Sequence, residues 1–293
     1  MIRTYEGKSI YVLPQLFIEQ ISLLEKSIIV PEKIETKYVK SSNVENKWIK
    51  EKNNIVQFKV TVVDVKEGIE KDINDIRKAL NMISKKNFDT QKEIVLKFVR
   101  DFINDNDSLV KISTFIFDIA SSNMFYGDIY ADLYVHFIQE SIIFEEILLH
   151  NLLSFKETIE NIKHVDSNLD YDGYCNYVKE NDKRKSMASF YMLLANKFVI
   201  NVVDIINIIA YLQTKLLNFV NLNDKTVECE DITELLYILI TNGKSNKQLT
   251  SNDVWLNIID DVSVVSKYKS ASHTSLSSRV IFKHLDIIDF MAK

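Results

Sequence analysis

The segment from Lys183 to Gly243 determines the fold that the sequence predicts. It runs KRKSMASFYMLLANKFVINVVDIINIIAYLQTKLLNFV (183–220), then NLNDKTVECED (221–231), then ITELLYILITNG (232–243). Apolar side chains recur there at the i, i+3, i+4 spacing of an amphipathic helix, in three successive segments. Their members are Met187, Phe190, Tyr191, Leu194 and Phe198, then Val202, Ile205, Ile206, Ile209, Leu212, Leu216 and Leu217, then Ile232, Leu235, Leu236 and Leu239. Gly243, after the third segment, is a typical helix stop.

Each of these helices has an apolar face that needs a neighbouring helix to cover it. Such faces are buried when helices stack as successive antiparallel pairs. The same pattern extends from about residue 68 to the end of the chain, and it restarts every 35–45 residues or so, a length typical of two-helix repeats. We therefore predict an all-α fold, an α-solenoid of about four to five antiparallel helix pairs.

The composition supports long helices joined by short connections. The chain has 293 residues, 46% of them apolar, but only five glycines and two prolines, too few for a turn-rich β or doubly wound fold. The net charge of −5 argues against strong, general nucleic-acid binding. Lone cysteines, no signal peptide and no apolar run of about 18 residues point to a cytoplasmic protein.

The first 67 residues differ from the rest and are predicted to form an extended N-terminal arm. A short helix is expected over Ile10–Ser27, followed by a polar linker, PEKIETKYVKSSNVENKWIKEKNN (31–54), and an extended strap over Ile55–Val65. The predicted domains are therefore 1–67 for the arm and 68–293 for the helical body.

Helices of the body are predicted from their apolar stripes and end signals. The first stripe is Ile69, Ile73, Ile76, Leu80 and Ile83; the second is Ile94, Phe98 and Phe102, widened by Leu96, Val99 and Ile103. Asp107 or Ser108 is expected to cap the third helix. Further helices are predicted over Tyr126–Phe144, Glu145–His164, Ser251–Val265 and Ser277–Met291, with Asn252 as a cap.

Five patches of the sequence occur in the order found in one known family. They are Ile76–Ile83 followed by Asn87-Phe88, Arg184-Lys185-Ser186 followed by Phe190, Glu234-Leu235-Leu236 followed by Thr241–Lys244, Ser278–Phe282 followed by Asp286–Asp289, and Trp48 in the linker. The body thereby resembles the middle domain of eukaryotic translation initiation factor 4 gamma, a HEAT-repeat scaffold. The resemblance implies a HEAT-like α-solenoid with no catalytic residue, no metal and no cofactor of its own.

The resemblance also implies a docking motif for the cap-binding initiation factor. Tyr11, Leu16 and Phe17 fit the pattern YxxxxLΦ, in which the Leu and the next apolar residue of an amphipathic helix enter a hydrophobic groove. Folding of this helix back onto the body is the alternative. Tyr211–Leu217 fits the same pattern but lies in the densest apolar run, where a core position is expected.

Further residues correspond to positions at which the family contacts a DEAD-box helicase: Trp48, Phe88, Arg279 and Phe282. Packing within the protein is the alternative for Trp48, and a core position is the alternative for Phe88 and Phe282. Lys183, Arg184 and Lys185 are weak candidates for RNA binding, against the interpretation that they are solvated helix ends.

The leading hypothesis is a cytoplasmic translation initiation scaffold, in the host cytoplasm if the protein is viral. It would bridge the cap-binding factor and the helicase, stimulate the helicase and recruit mRNA. A related middle-domain scaffold in RNA decay, splicing or nuclear cap binding is the alternative. An all-α enzyme is disfavoured: the five histidines show no metal-ligand spacing, no second acidic motif accompanies Asp260-Asp261, and no P-loop is present.

Overall fold

A computed structural model of the protein describes residues 2–5, 8–11, 67–269 and 272–293, with the backbone alone in the first two ranges. The chain divides into two units, Met1–Val63 and Asp64–Lys293. The strands are β1 (Ile2–Tyr5) and β2 (Lys8–Tyr11). The helices are α1 (Ile69–Asn81), α2 (Phe88–Asp101), α3 (Asn106–Ser122), α4 (Gly127–Glu140), α5 (Ile142–Glu160), α6 (Tyr171–Asn196), α7 (Val202–Phe219), α8 (Thr226–Gly243), α9 (Lys247–Thr250), α10 (Asp253–Ser266) and α11 (Ser278–Ala292).

The two strands form an antiparallel pair in which Ile2 lies opposite Tyr11 and Arg3 opposite Ile10. The prediction of a helix beginning at Ile10 is therefore wrong for its first two residues. β-Branched and aromatic residues favour a pleated strand when a partner strand completes the backbone hydrogen bonds. The remainder of that helix, the linker and the strap over 55–65 lie outside the described residues.

The described part of the second unit is all-helical, as predicted, and its main contacts follow the order of the chain. Helix α1 packs on α2 and α3, α2 on α4, and α3 on α4, α5 and α6; α4 and α5 both reach α6. Helix α6 continues to α7 and α8, α7 to α8 and α10, and α8 and α10 to α11. Each helix thus makes its main contacts with helices that are near it in chain order, which is consistent with an α-solenoid.

Helix α6 lies at the centre of this arrangement. Seven consecutive residues in its second half, 186–192, are buried, so this part of the helix is covered on every side. Ser186, Ala188 and Ser189 are small, which lets neighbouring helices approach closely. Phe190 contacts Phe117 and Tyr134 edge to face, with ring centroids 6.2 and 5.6 Å away.

Several predicted helix ends need correction. The third helix begins with Asp105, whose carboxylate accepts the N–H of Ser108, so neither Asp107 nor Ser108 is the cap. Ser141 divides the predicted helix 126–144, since its hydroxyl caps α5. Gly243 as the end of α8 and Asn252 as the cap of α10 are confirmed.

The buried face of α2 is rotated relative to the prediction. Val95, Leu96 and Val99 are its buried apolar residues, whereas Ile94 of the predicted stripe is exposed. The predicted stripe is wrong at Ile94 because Ile94 and Val95 are adjacent apolar residues. Periodicity alone does not decide which of the two faces the core.

One buried histidine makes the stability of the helical unit depend on pH. His284 in α11 is completely buried, its Nδ1 lies 2.8 Å from the carbonyl oxygen of Val280, and its Nε2 has no partner. Burial lowers the pKa of His284 to about 4, against the opposing effect of the Val280 carbonyl. The unfolded chain, with a pKa near 6.5, therefore binds the proton first as the pH falls.

We expect the free energy of unfolding to fall by about 3 kcal/mol between pH 6.5 and pH 4 because of this one group. His284→Leu is expected to remove that part of the pH dependence, because leucine binds no proton in either the folded or the unfolded state. Urea denaturation across the pH range measures the effect. The exposed His150→Leu is the control, and an equal flattening in both variants would contradict the assignment.

Candidate functional site

A cleft extends along one edge of the helical unit. It consists of two adjoining cavities of about 570 and 590 Å³ that share Asp128 and Lys197. The first is lined by Lys85, Phe88, Asp89, Asp128, Ile129, Asp132, Val135, His136 and Lys197. The second is lined by Asp128, Leu193, Asn196, Lys197, Thr241, Asn242, Lys244, Ser245 and Phe290. The cleft is thus bordered by residues of five helices, α2, α4, α6, α8 and α11.

An ion-pair cluster occupies the centre of the cleft. The ammonium of Lys197 lies 2.6 Å from the carboxylate of Asp132 and 3.9 Å from that of Asp128. The start of α4 packs closely against the end of α6 at this point. A Cβ added at Gly127 would lie only 3.1 Å from Cδ1 of Leu193. The absence of a side chain at Gly127 therefore helps to bring the charged groups together.

Phe88, a predicted helicase contact, is half-buried at the start of α2. Its ring centroid lies 6.2 Å from that of His136, and the Lys92 ammonium lies 5.5 Å from the ring centre. Phe88 packs on the core and also borders the cleft. One side of its ring is therefore covered by the core, and the other side is accessible at the surface.

Phe198 is an exposed aromatic residue that the sequence analysis placed in the core stripe of α6. Its side chain is 72% exposed, and its backbone φ of 62° is in the left-handed region. The N–H of Val199 donates to the carbonyl of Leu194 at 3.0 Å, which closes the C-terminal turn in which glycine is usual after the helix. Asn201, the cap of α7, is the sequence signal that would have shown the chain turning here.

A second exposed aromatic pair precedes α4. Phe125 is 87% exposed and contacts Tyr126 edge to face, with ring centroids 4.9 Å apart. Phe125 lies three residues before Asp128, and Phe198 directly follows Lys197, so the central ion pair has an exposed aromatic residue near each partner in sequence. Large aromatic side chains surrounded by polar groups are typical of protein-binding surfaces.

The other predicted helicase contacts lie on α11. Phe282 is 63% exposed, which contradicts the core alternative for this residue. The guanidinium of Arg279 lies 3.3 Å from the carboxylates of both Glu230 and Glu234 on α8. Arg279 is thus exposed but already ion-paired within the protein.

The basic triplet lies in the middle of α6, so the interpretation as solvated helix ends is wrong. Lys183 is exposed and Lys185 partly so, but Arg184 is only 5% exposed. Its guanidinium donates to Oδ1 of Asn181 at 2.6 Å and to the carbonyl of Thr158 at 3.4 Å. Arg184 is therefore not an exposed surface cation as Lys183 is.

Of the four predicted contacts in the arm, only Tyr11 lies within the described residues. The backbone of Tyr11 ends β2. Leu16, Phe17 and Trp48 lie outside the described residues, so their roles stay predictions. The second YxxxxLΦ segment is in the core as predicted, because Leu212 and Leu216 are completely buried.

Within residues 67–269 and 272–293, no cluster of three or more His, Cys, Asp or Glu side chains could hold a metal ion. Asp260 and Asp261 are exposed on α10. Helix α7 is long and apolar enough to cross a bilayer, a property that it shares with core helices of globular proteins, and 50% of it is buried. No family model matches the sequence, and no curated protein matches it.

The backbone at Phe198 leads to a stability prediction. Replacing Phe198 by glycine is expected to raise the free energy of unfolding by about 1 kcal/mol, because glycine adopts positive φ without a steric cost and an exposed ring loses little packing. Chemical denaturation measures the change.

Asp224→Gly is the matched control, because Asp224 is also exposed and has φ of 56°. Aspartate tolerates this region better than phenylalanine, so a smaller gain is expected there. Destabilisation by Phe198→Gly would show that the ring contributes packing that its exposure does not indicate.

Proposed function

We propose that the protein is a translation initiation scaffold that binds a DEAD-box helicase through its helical unit and a cap-binding initiation factor through its N-terminal arm. Recruitment of mRNA would follow from these partners. The observation that supports it most directly is the presence of two exposed aromatic patches on one helical stack. The cleft patch is defined as Phe88, which is half-buried at the cleft, together with the exposed Phe125 and Phe198, which are near the central ion pair in sequence. The α11 patch is the exposed Phe282 with Arg279.

The stack is proposed to be a HEAT-like array of five antiparallel pairs, α1/α2, α3/α4, α5/α6, α7/α8 and α10/α11. In such an array the equivalent helices of successive pairs run in the same direction. Two contacts support this for α6 and α8: Tyr177 with Asp231, and Ser189 with Asn242.

The same direction is supported for the next equivalent pair, α8 and α11. Arg279 near the start of α11 contacts Glu230 near the start of α8. At the other end of both helices, Lys244 donates to the carbonyl of Phe290.

Phe88 and Phe282 lie on helices at different positions along the stack, although the cleft itself extends to Phe290 of α11. This separation suits a partner with two lobes. Helix α2 packs on α1 and α4, whereas α11 packs on α8 and α10, and α4, α6 and α8 connect them by successive contacts. A scaffold that binds one lobe at each patch would favour the arrangement in which the distance between the two lobes matches the distance between the two patches. The helicase would be stimulated by this shift of population, with no chemistry on the scaffold.

Binding of a DEAD-box initiation helicase to the full chain tests the two patches separately. Phe198→Ala and Phe282→Ala are each expected to weaken binding at least about tenfold, because an exposed aromatic anchor typically contributes this much. Calorimetric titration measures the affinity. Tyr171→Ala, at a residue 69% exposed at the start of α6, is the matched control and should bind as the unchanged protein does.

A photo-crosslinking residue placed at position 198 or 282 then identifies the lobe that each patch contacts. Peptide mapping should find the two crosslinks in different lobes of the helicase. Crosslinks from both positions to one lobe would contradict the two-patch arrangement, and no binding of the helicase at all would contradict the proposed function.

The arm is tested by the double substitution Tyr11→Ala with Leu16→Ala. Loss of the cap-binding factor from affinity-purified complexes is expected, with the helicase retained, because neither Tyr11 nor Leu16 is a predicted helicase contact. Retention of the cap-binding factor would instead favour the related scaffolds of RNA decay, splicing or nuclear cap binding.

A further inference from the structure

A separate cavity lies between the end of α5 and the first half of α6. Its volume is about 320 Å³. It is bordered by the loop after α5 and by one face of α6, and none of its lining residues lines the cleft. The residues used below are Lys163 and Asn161 from the loop and Asn176, Glu180 and Arg184 from α6.

The inner part of this cavity is bordered by the guanidinium of Arg184, which makes no ion pair with any described residue. Arg184 is almost fully buried, and its Nε has no hydrogen-bond partner. Among the described residues, no carboxylate lies within 4.0 Å of its guanidinium; the nearest acceptors are the amide oxygen of Asn181 and a backbone carbonyl. The carboxylate of Asp231 instead accepts the hydroxyl of Tyr177.

A buried guanidinium in such surroundings favours an added anion. Arginine stays protonated at neutral pH, and burial lowers the pKa of Arg184 although Asp231 and Glu180 favour its charged form from beyond ion-pair distance. The two carboxylates therefore compensate the buried charge only in part, and a buried charge that is incompletely paired is costly. The exposed lining residues add one more cation, Lys163, and the amide groups of Asn161 and Asn176, against a single carboxylate, Glu180. Guanidinium, ammonium and amide donors together are the groups that proteins use to bind phosphate oxygens.

We propose that this cavity is a binding site for a phosphate-type oxyanion, either free or on a phosphorylated small molecule, with Arg184 at its base and Lys163 at its entrance. The ligand would complete the electrostatic environment of Arg184 and link the loop after α5 to α6. This site is independent of the aromatic patches, so it goes beyond the proposed scaffold function.

Inorganic phosphate is the first probe, titrated into the full chain at constant ionic strength and followed by calorimetry and phosphorus NMR. Saturable binding is expected, with acetate and chloride at equal ionic strength giving much weaker effects. O-Phosphoserine in a second titration distinguishes free phosphate from a phosphate monoester. Absence of saturation, or equal effects of all the anions, would overturn the proposal.

Three exposed residues provide matched variants. Lys163→Gln should weaken phosphate binding about three- to tenfold, and Glu180→Gln should tighten it by a similar factor, through the change in local charge. Lys179→Gln makes the same change in net charge outside the cavity and should leave the affinity unchanged. Equal weakening by Lys163→Gln and Lys179→Gln would show a general charge effect and refute the site.

Arg184→Met is the variant at the base of the cavity. Phosphate is expected to raise the melting temperature of the unchanged protein, since a ligand that binds only the folded state stabilises it. Arg184→Met should abolish this rise, while circular dichroism checks its helical content. Should this variant fail to fold, the Lys163 and Glu180 variants still decide the question, because their side chains are exposed.

Discussion

The structure depends on the burial of the second half of α6. Residues 186–192 are buried without interruption, and the helix contacts α3, α4 and α5 on one side of the chain order and α7 and α8 on the other. Small residues directly before Phe190 and Tyr191 make this possible, because the small residues allow backbones to approach closely and the rings fill the remaining space. Both the cleft and the cavity beside Arg184 are bordered by residues of this helix.

Much of the helical architecture could be predicted from the sequence, because apolar periodicity reports which residues need cover. Where the prediction failed, local polar chemistry decided the outcome. The hydroxyl of Ser141 and the carboxylate of Asp105 each satisfy a free N–H at a helix start, and neither signal is apolar. Lys183–Lys185 resembles a helix start in sequence, but Asp170 caps that helix far earlier, with its carboxylate accepting the N–H of Gly173.

The candidate site was less predictable than the fold, because its groups meet only through packing. Lys197 and Asp132 are 65 positions apart, and no local pattern relates them. Phe198 matches the helical spacing of α6, yet the chain leaves the helix before it, so the periodic pattern assigned an exposed ring to the core. Phe88 and Phe282 were predicted as contacts only through the resemblance to a known family. In the structure Phe88 is half-buried and Phe282 is exposed.

The charges on the exposed faces bear on the kind of partner that can bind there. Arg100 faces Glu93 and Glu140, and Lys197 faces Asp128 and Asp132, so each of these cations is matched by two carboxylates. The cleft itself is lined by three lysines and three aspartates, so a phosphate backbone would meet no excess of cations there, and neutralisation of phosphates by free cations is what nucleic-acid binding requires. A protein surface can instead exchange ion pairs with such clusters and bury the adjacent rings, which favours a protein partner at the cleft.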